Sequence, residues 1–316
     1  MSGLASLVLT ASEISSLDQQ FKRMVQTLLK LSTRSPAPLV HFISGTLPGT
    51  AILHLRQLSL FGMICRLPGD PLHHHAWQAL LTLPPSANSW FTQVRDIFLQ
   101  YRLPHPLLLL ENPPTKESFK KLTKAKVLDY WEDRLRREAS FLPSLEYLHP
   151  QFLSLKTPHM LLTSAGNKPY EVAKARIQLL FLSNQYPCGS YTRHWTPENR
   201  DGLCTFLQCR EAKAQESPEH ILLKCPEWSL TREKMYLPCL SMQSPIFRHS
   251  VTSILFSGST NKQMQFFLDC SVLPEVIKSV QIHGDDILGD LFYLYRTCWF
   301  SLHKQRLKNL GNWNFR

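Results

Sequence analysis

No uninterrupted run of about 18 apolar residues occurs anywhere in the 316-residue chain, which excludes an ordinary membrane-spanning helix. The opening MSGLASLVLTASEISS has a short apolar patch with no basic stretch before it. A secretory leader is therefore not expected, and the chain reads as intracellular, nuclear or cytoplasmic, and not secreted. Strict two-residue alternation is scarce, so a large sheet is not expected. Internal repeats and low-complexity tracts are also missing. The segment GTLPG (Gly45 to Gly49) lacks the Gly-Lys-Ser/Thr ending of a phosphate loop and reads as a turn. Ser, His and Asp are abundant, but nothing marks a nucleophile. His73, His74 and His75 are adjacent, so on a helix they point three ways and chelate poorly. The eight cysteines are scattered over a long chain with no leader, which reads as reduced thiols rather than a disulfide framework.

What is present is apolar and helical. Hydrophobic residues make up 43% of the chain, enough for two ordinary domains or one large irregular one. From Ser16, SLDQQFKRMVQTLLKL opens with Ser16 and Gln19 at capping-box spacing and puts Leu17, Phe21, Val25 and Leu28 on one side. Ser35, Pro36 and Pro38 stop that helix. Thr50–Leu67 reads as a buried helix, followed by helices over Leu72–Leu83 and Trp90–Tyr101 around the Pro84–Pro85 turn. Thr115–Ala139 is the longest candidate, with Leu128, Trp131 and Leu135 as its inner stripe. Lys116, Lys120 and Lys124 stack along another face of it, beside Lys121 and Lys126; a solvated face and a phosphate-contacting face are both compatible with the run. Pro169 opens a helix to Leu182, and two or three helical segments close the chain. The fold class is mostly α: an irregular multi-helix assembly with a small embedded zinc knuckle.

The knuckle lies in LCTFLQCREAKAQESPEHILLKCPEW, Leu203 to Trp228. Cys204, Cys209, His220 and Cys225 give C-x4-C-x10-H-x4-C, two close pairs of soft or borderline ligands. Zinc takes four such ligands at tetrahedral corners. A helix beginning near Pro218 aims the second pair at the turn holding the first. The intervening REAKAQESPE is polar and buries little by itself, so a metal staple accounts for its order better than isolated core thiols do. Three thiolates and one imidazole make a closed, structural site for one Zn2+.

Around this cluster, the pattern KARIQLLFLSNQYP … RHWTPENRDGLC … C … PEHILLKCPEW … R resembles the reverse-transcriptase zinc-binding domain, which follows the polymerase in non-LTR (LINE-type) retrotransposon proteins. The matching positions are Ala175 and Arg176 in a helix, then Cys204, Cys209, Glu219, His220, Cys225 and Pro226. Arg232 stands where the family often has a basic residue. GTLPGTAILHLRQLSLFGMICRLP looks like the helical stretch after the polymerase thumb. KAKVLDYWEDRLRREASFLPSLEYLHP and YRTCWFSLHKQRLKNLGNW are also similar to family segments. The resemblance implies four regions: 1–110 after the thumb, 111–165 a basic long helix and connector, 166–235 the zinc-binding domain, and 236–316 a helical end. The first cysteine gap is wider than the family's common two-residue spacing.

The family's chemistry is missing. The only aspartate doublet, Asp285 and Asp286, follows the cysteine cluster instead of preceding it and leads into an amphipathic helix, so it reads as a cap. LPEVIK, with Glu275 and Lys278, lacks a nuclease partner and reads as a helix start. No catalytic residue is assigned. The expected function is a retroelement-derived, zinc-binding module that contacts RNA or DNA, in keeping with a formal net charge of +11. Expected contacts are Lys116, Lys120, Lys124, Arg176, Arg193, Arg200, Arg210 and Lys213, with Trp195 either stacking on a base or packing in the core. The alternatives are a fragment of a larger RNA-directed DNA polymerase polyprotein, a zinc-stabilised protein–protein scaffold, and a decayed element without function.

Overall fold

Proline marks where helices begin in this protein. Its locked φ suits the first turn, where its missing N–H removes no hydrogen bond. A computed structural model of the protein describes residues 3–149, 153–192, 201–241, 245–283 and 286–309. In it, Pro38, Pro71, Pro106 and Pro169 sit in the first turns of α2 (Ala37–Ser44), α4 (Pro71–Thr82), α6 (Pro106–Glu111) and α9 (Pro169–Leu182). The other early helices are α1 (Ala11–Leu28), α3 (Gly49–Cys65), α5 (Trp90–Gln100), α7 (Lys116–Ser140) and α8 (Met160–Thr163). Then come α10 (Gly189–Thr192), α11 (Leu207–Glu211), α12 (Ser229–Ser241), α13 (Pro245–Leu255), α14 (Thr260–Leu268), α15 (Pro274–His283) and α16 (Asp286–Asn309). Among the described residues no strand is formed beyond a single antiparallel bridge between Leu203 and Gln215. The mostly α, irregular assembly expected from the periodicity is what forms. No described helix is long and apolar enough to cross a membrane.

Three local expectations are corrected. α1 opens at Thr10, not Ser16: Thr10 Oγ1 accepts from the Glu13 amide (3.3 Å) and Glu13 Oε2 accepts from the Thr10 amide (2.8 Å). Two capping boxes follow each other here, and the one with an ionised acid at its third position holds the helix end. Leu28, placed on the inner stripe, is 74% exposed. The chain leaves the helix at that point, and Leu31 is buried in its place beyond a left-handed turn at Lys30. Pro36 and Pro38 do not merely stop α1; they open α2, which the sequence reading missed. Pro38 to Ile43 is buried all round and so shows no helical period.

The remaining boundaries follow the pattern closely. Thr115 caps α7 through the Ser118 amide, and Leu128, Trp131 and Leu135 are buried with Phe119, Thr123, Val127 and Ala139. GTLPG is a turn: Gly45 ends α2 in the left-handed region (φ 64°) and Pro48 caps α3. Gly45 also lies so close to Thr157 that an added Cβ would stand 2.3 Å from its carbonyl carbon. Leu273, Pro274 and Glu275 open α15 as expected, and α16 begins at Asp286; Asp285 lies outside the described residues.

α3 is the hub of the first part, packed by α1, α4, α5, α6 and α7, while α16 lies along α9 and against α8, α12 and α15. One continuous buried cluster runs from Val25 to Leu302. Aromatic side chains fill its second half: Phe181 stacks on Tyr186 at 3.8 Å, and the Trp299 indole N–H donates to the Phe267 carbonyl (3.1 Å). Polar links cross between the parts. The His159 amide donates to Ile43 O (3.0 Å), and Ser35 Oγ donates to Gln185 Oε1 (2.9 Å). His159 is itself committed to structure, with Nε2 3.0 Å from Asp269 and Nδ1 accepting the Leu161 amide.

Candidate metal centre

Cys204 arrives on an extended segment. Its amide donates to Ala214 O and the Glu216 amide donates to Gly202 O, both at 2.9 Å, pinning 202–204 against 214–216. Between them the chain turns through α11, which carries Cys209, and returns through Lys213 in the left-handed region (φ 52°). After Ser217, whose Oγ accepts the His220 amide (3.1 Å), His220–Lys224 forms one π-helical turn. The wide turn matters for geometry. The Cys225 amide bonds back to His220 O (2.7 Å), bringing residues five apart to one side. Trp228, 1% exposed and edge-on to Phe206 at 5.5 Å, packs this turn onto the helical body.

The four side chains named from the sequence converge. One ligand atom each from Cys204, Cys209, His220 and Cys225 lie within 4.8 Å of one another, and all four residues are buried. Cys225 Sγ is 4.0 Å from Cys204 Sγ and 3.7 Å from Cys209 Sγ, and all three are free thiols. His220 Nε2 is buried without a hydrogen-bond partner, a condition that an ion would relieve. The neighbouring Cys225 thiol, and then burial, push Cys204 up to about 12; burial, first of all, also raises Cys209. Thiols so crowded hold their protons unless a cation supplies the compensating charge. The group is thus able to hold a metal ion in a closed, protein-only shell.

Arg232, on α12, is within electrostatic reach of Cys225; burial lowers its pKa, and Tyr236 and Cys225 oppose that. Its Nη1 is buried without a partner.

Sequence reasoning missed the clamp that fixes the knuckle. Glu216 is 1% exposed, although it belongs to the stretch read as polar and burying little by itself. Its two carboxylate oxygens accept from Arg306 of α16, Nε at 3.2 Å and Nη2 at 2.7 Å, and one also accepts the Gly189 amide (2.6 Å). Arg306 Nη1 donates to Pro187 O (2.9 Å). Burial, the largest single influence, works to lower the Arg306 pKa, but the charge and hydrogen bonds of Glu216 together with Tyr186 and Cys188 outweigh it, and the pKa is raised. The partner is 90 residues away, and no local period encodes it. Removing one member of such a pair strands the other, so Arg306→Met is expected to lower stability by about 3–5 kcal/mol, and Glu216→Gln by less. Urea midpoints are the check. An Arg306→Met, Glu216→Leu double variant is expected to lose less than the sum.

Among the described residues, the lysine row and Arg176 do not gather at this centre. Lys116, Lys120 and Lys124 are exposed on α7, together with Lys121 and Lys126. Arg176 is half-buried on α9, its Nε donating to Lys30 O (3.2 Å), and Ala175 is fully buried. Arg210 is exposed and paired with Asp201 (2.8 Å); Lys213 is exposed at the hairpin turn; Lys224 pairs with Glu219. Arg193, Trp195 and Arg200 lie outside the described residues. Comparison with family models, curated proteins and solved structures finds no match to this chain.

Proposed function

We propose that this chain is a zinc-stabilised, nucleic-acid-binding module of retroelement descent. It corresponds to the region after the polymerase in LINE-type proteins and carries neither polymerase nor nuclease chemistry itself. The observation that carries the reading is the convergence of Cys204, Cys209, His220 and Cys225 within 4.8 Å. Zinc–sulfur bonds of about 2.3 Å in a tetrahedron set sulfurs roughly 3.8 Å apart. The two sulfur separations, 3.7 and 4.0 Å, bracket that value. Three thiolates with a neutral imidazole favour zinc by softness, and they leave no position for substrate or water, so the ion is structural. Its complex carries a net negative charge, which the nearby Arg232 offsets. The formal charge of +11, together with the exposed lysine row on α7, supports phosphate contact.

Purified protein is expected to hold one zinc per chain, and Cys204→Ser and His220→Ala are each expected to lose it. Unchanged zinc stoichiometry in both variants would remove the basis of the reading. Binding of RNA or DNA is expected to weaken linearly with salt on a log–log plot. Replacing Lys116, Lys120 and Lys124 together by Ala is expected to reduce that slope by about 2–3. Zinc retained without salt-dependent binding would favour the metal-stabilised protein scaffold instead.

A further inference from the structure

A second surface, away from the lysine row and unremarked in the sequence, combines open aromatic rings with cations. Tyr170, in the first turn of α9, and Tyr293, on α16, are 55% and 52% exposed. Between them lies Lys174, itself buried, with Nζ 4.6 Å from the Tyr170 ring centre and 5.2 Å from that of Tyr293. Arg296 reaches over Tyr293 at 5.2 Å, and Lys304 lies over Phe300 at 4.9 Å, next to Tyr170 at 5.7 Å. Glu171 accepts from both Lys174 and Arg296 at 2.8 Å, which fixes the two cations beside the rings. Three cations against one carboxylate leave a surplus of positive charge, with Lys304 exposed at the edge.

We infer that this face of α9 and α16 is a stacking platform for single-stranded nucleic acid. Bases lie on Tyr170 and Tyr293, and Lys304 meets the backbone. The inference rests on the nucleic-acid reading above and gives it a location. Exposed rings interleaved with cations are what unpaired bases and phosphates require, and every base offers a face to stack, so little sequence preference follows. A duplex hides those faces. A free methylated or quaternary ammonium, the other usual ligand of aromatic groups, is disfavoured because the chain's own Lys174 already occupies the space between the rings. The platform is held to the metal centre's clamp by the same helix: Arg306, which grips Glu216, lies about 20 Å along α16 from Tyr293.

The test uses the full, zinc-loaded chain with fluorescein-labelled oligouridine, oligodeoxythymidine and a mixed-sequence duplex. Tyr170→Ala and Tyr293→Ala are each expected to weaken single-strand binding about tenfold without changing the salt slope, since neither removes a cation. Tyr→Phe at either position retains affinity. Lys304→Ala is expected to reduce the slope by about 0.7 while the stacking effect persists. Melting temperatures of the variants show whether the fold is kept. Wild-type affinity for single strands in the Tyr170→Ala, Tyr293→Ala double variant overturns the platform and leaves the general reading intact. Failure of the intact chain to bind any of the three probes overturns both.

Discussion

Stripping the proposed zinc from the chain, or replacing Cys225 by Ser, is expected to unravel residues 201–228 and lower the melting temperature sharply. Apart from the Glu216–Arg306 clamp and the buried Ile221, Leu222 and Trp228, little else orders that segment. Its hairpin is held by a few backbone bonds, and the stretch between the ligand pairs exposes Arg210, Glu211, Ala212, Lys213 and Gln215. A structural zinc site supplies on the order of 10 kcal/mol of folding free energy, comparable to the entire stability of a typical domain. The loss also spreads. Trp228 is buried edge-on to Phe206 of the same segment, and Glu216 leaves Arg306 of α16 without its partner when the hairpin opens. The measurements are tryptophan emission and thermal unfolding during titration with a chelator, with zinc release followed by an indicator dye. Quantitative zinc release with unchanged emission and unchanged melting would contradict the structural role.

Acid is expected to destabilise the protein between about pH 6.5 and pH 4, before most carboxylates protonate. Burial, chiefly, pushes His41 and His54 down from 6.5 to about 4. His54 Nδ1 lies 2.8 Å from the Tyr101 hydroxyl, whose oxygen accepts from the Trp131 indole (3.0 Å); the hydroxyl therefore donates to a neutral imidazole. His41 Nδ1 donates to Thr46 O (3.1 Å). Both histidines are neutral in the fold and protonate more readily in the unfolded chain. The unfolded state thus binds more protons in this window, so stability is lost there as the pH is lowered. Above pH 6.5 their full contribution is present, and below about pH 4 no more is lost. At about 1.4 kcal/mol per pH unit, each contributes roughly 3 kcal/mol. His303, held near 4 by burial and by Arg306 and Arg176, adds in the same direction. Urea midpoints of wild type and His54→Asn across this range are the check: the variant is expected to show a shallower slope. Metal affinity also depends on pH because the ligands must be deprotonated, so midpoints are compared at matched metal content. Equal slopes would remove His54 from the account.

Helices with one wet face were plain in the pattern. α7 starts where a cap stands and its buried apolar residues recur at helical spacing, while α9 starts at a first-turn proline. α2 was invisible for the opposite reason, since a short helix buried on every side carries no period. The Thr10 cap was passed over because a second box of the same form follows within a turn.

The ligand set was legible because metal coordination is a local chemical demand: particular side chains, in close pairs, in a stretch too polar to fold alone. Residue type and spacing therefore sufficed to name Cys204, Cys209, His220 and Cys225, and the helical period sufficed for a mostly α chain. The Glu216–Arg306 clamp, the half-burial of Arg176 and the joining of α9 to α16 into one aromatic and cationic face were settled by packing. Each depends on a partner tens to more than a hundred residues away. Burial acts on whatever side chains the fold brings together, and it leaves no mark on their immediate neighbours in the chain.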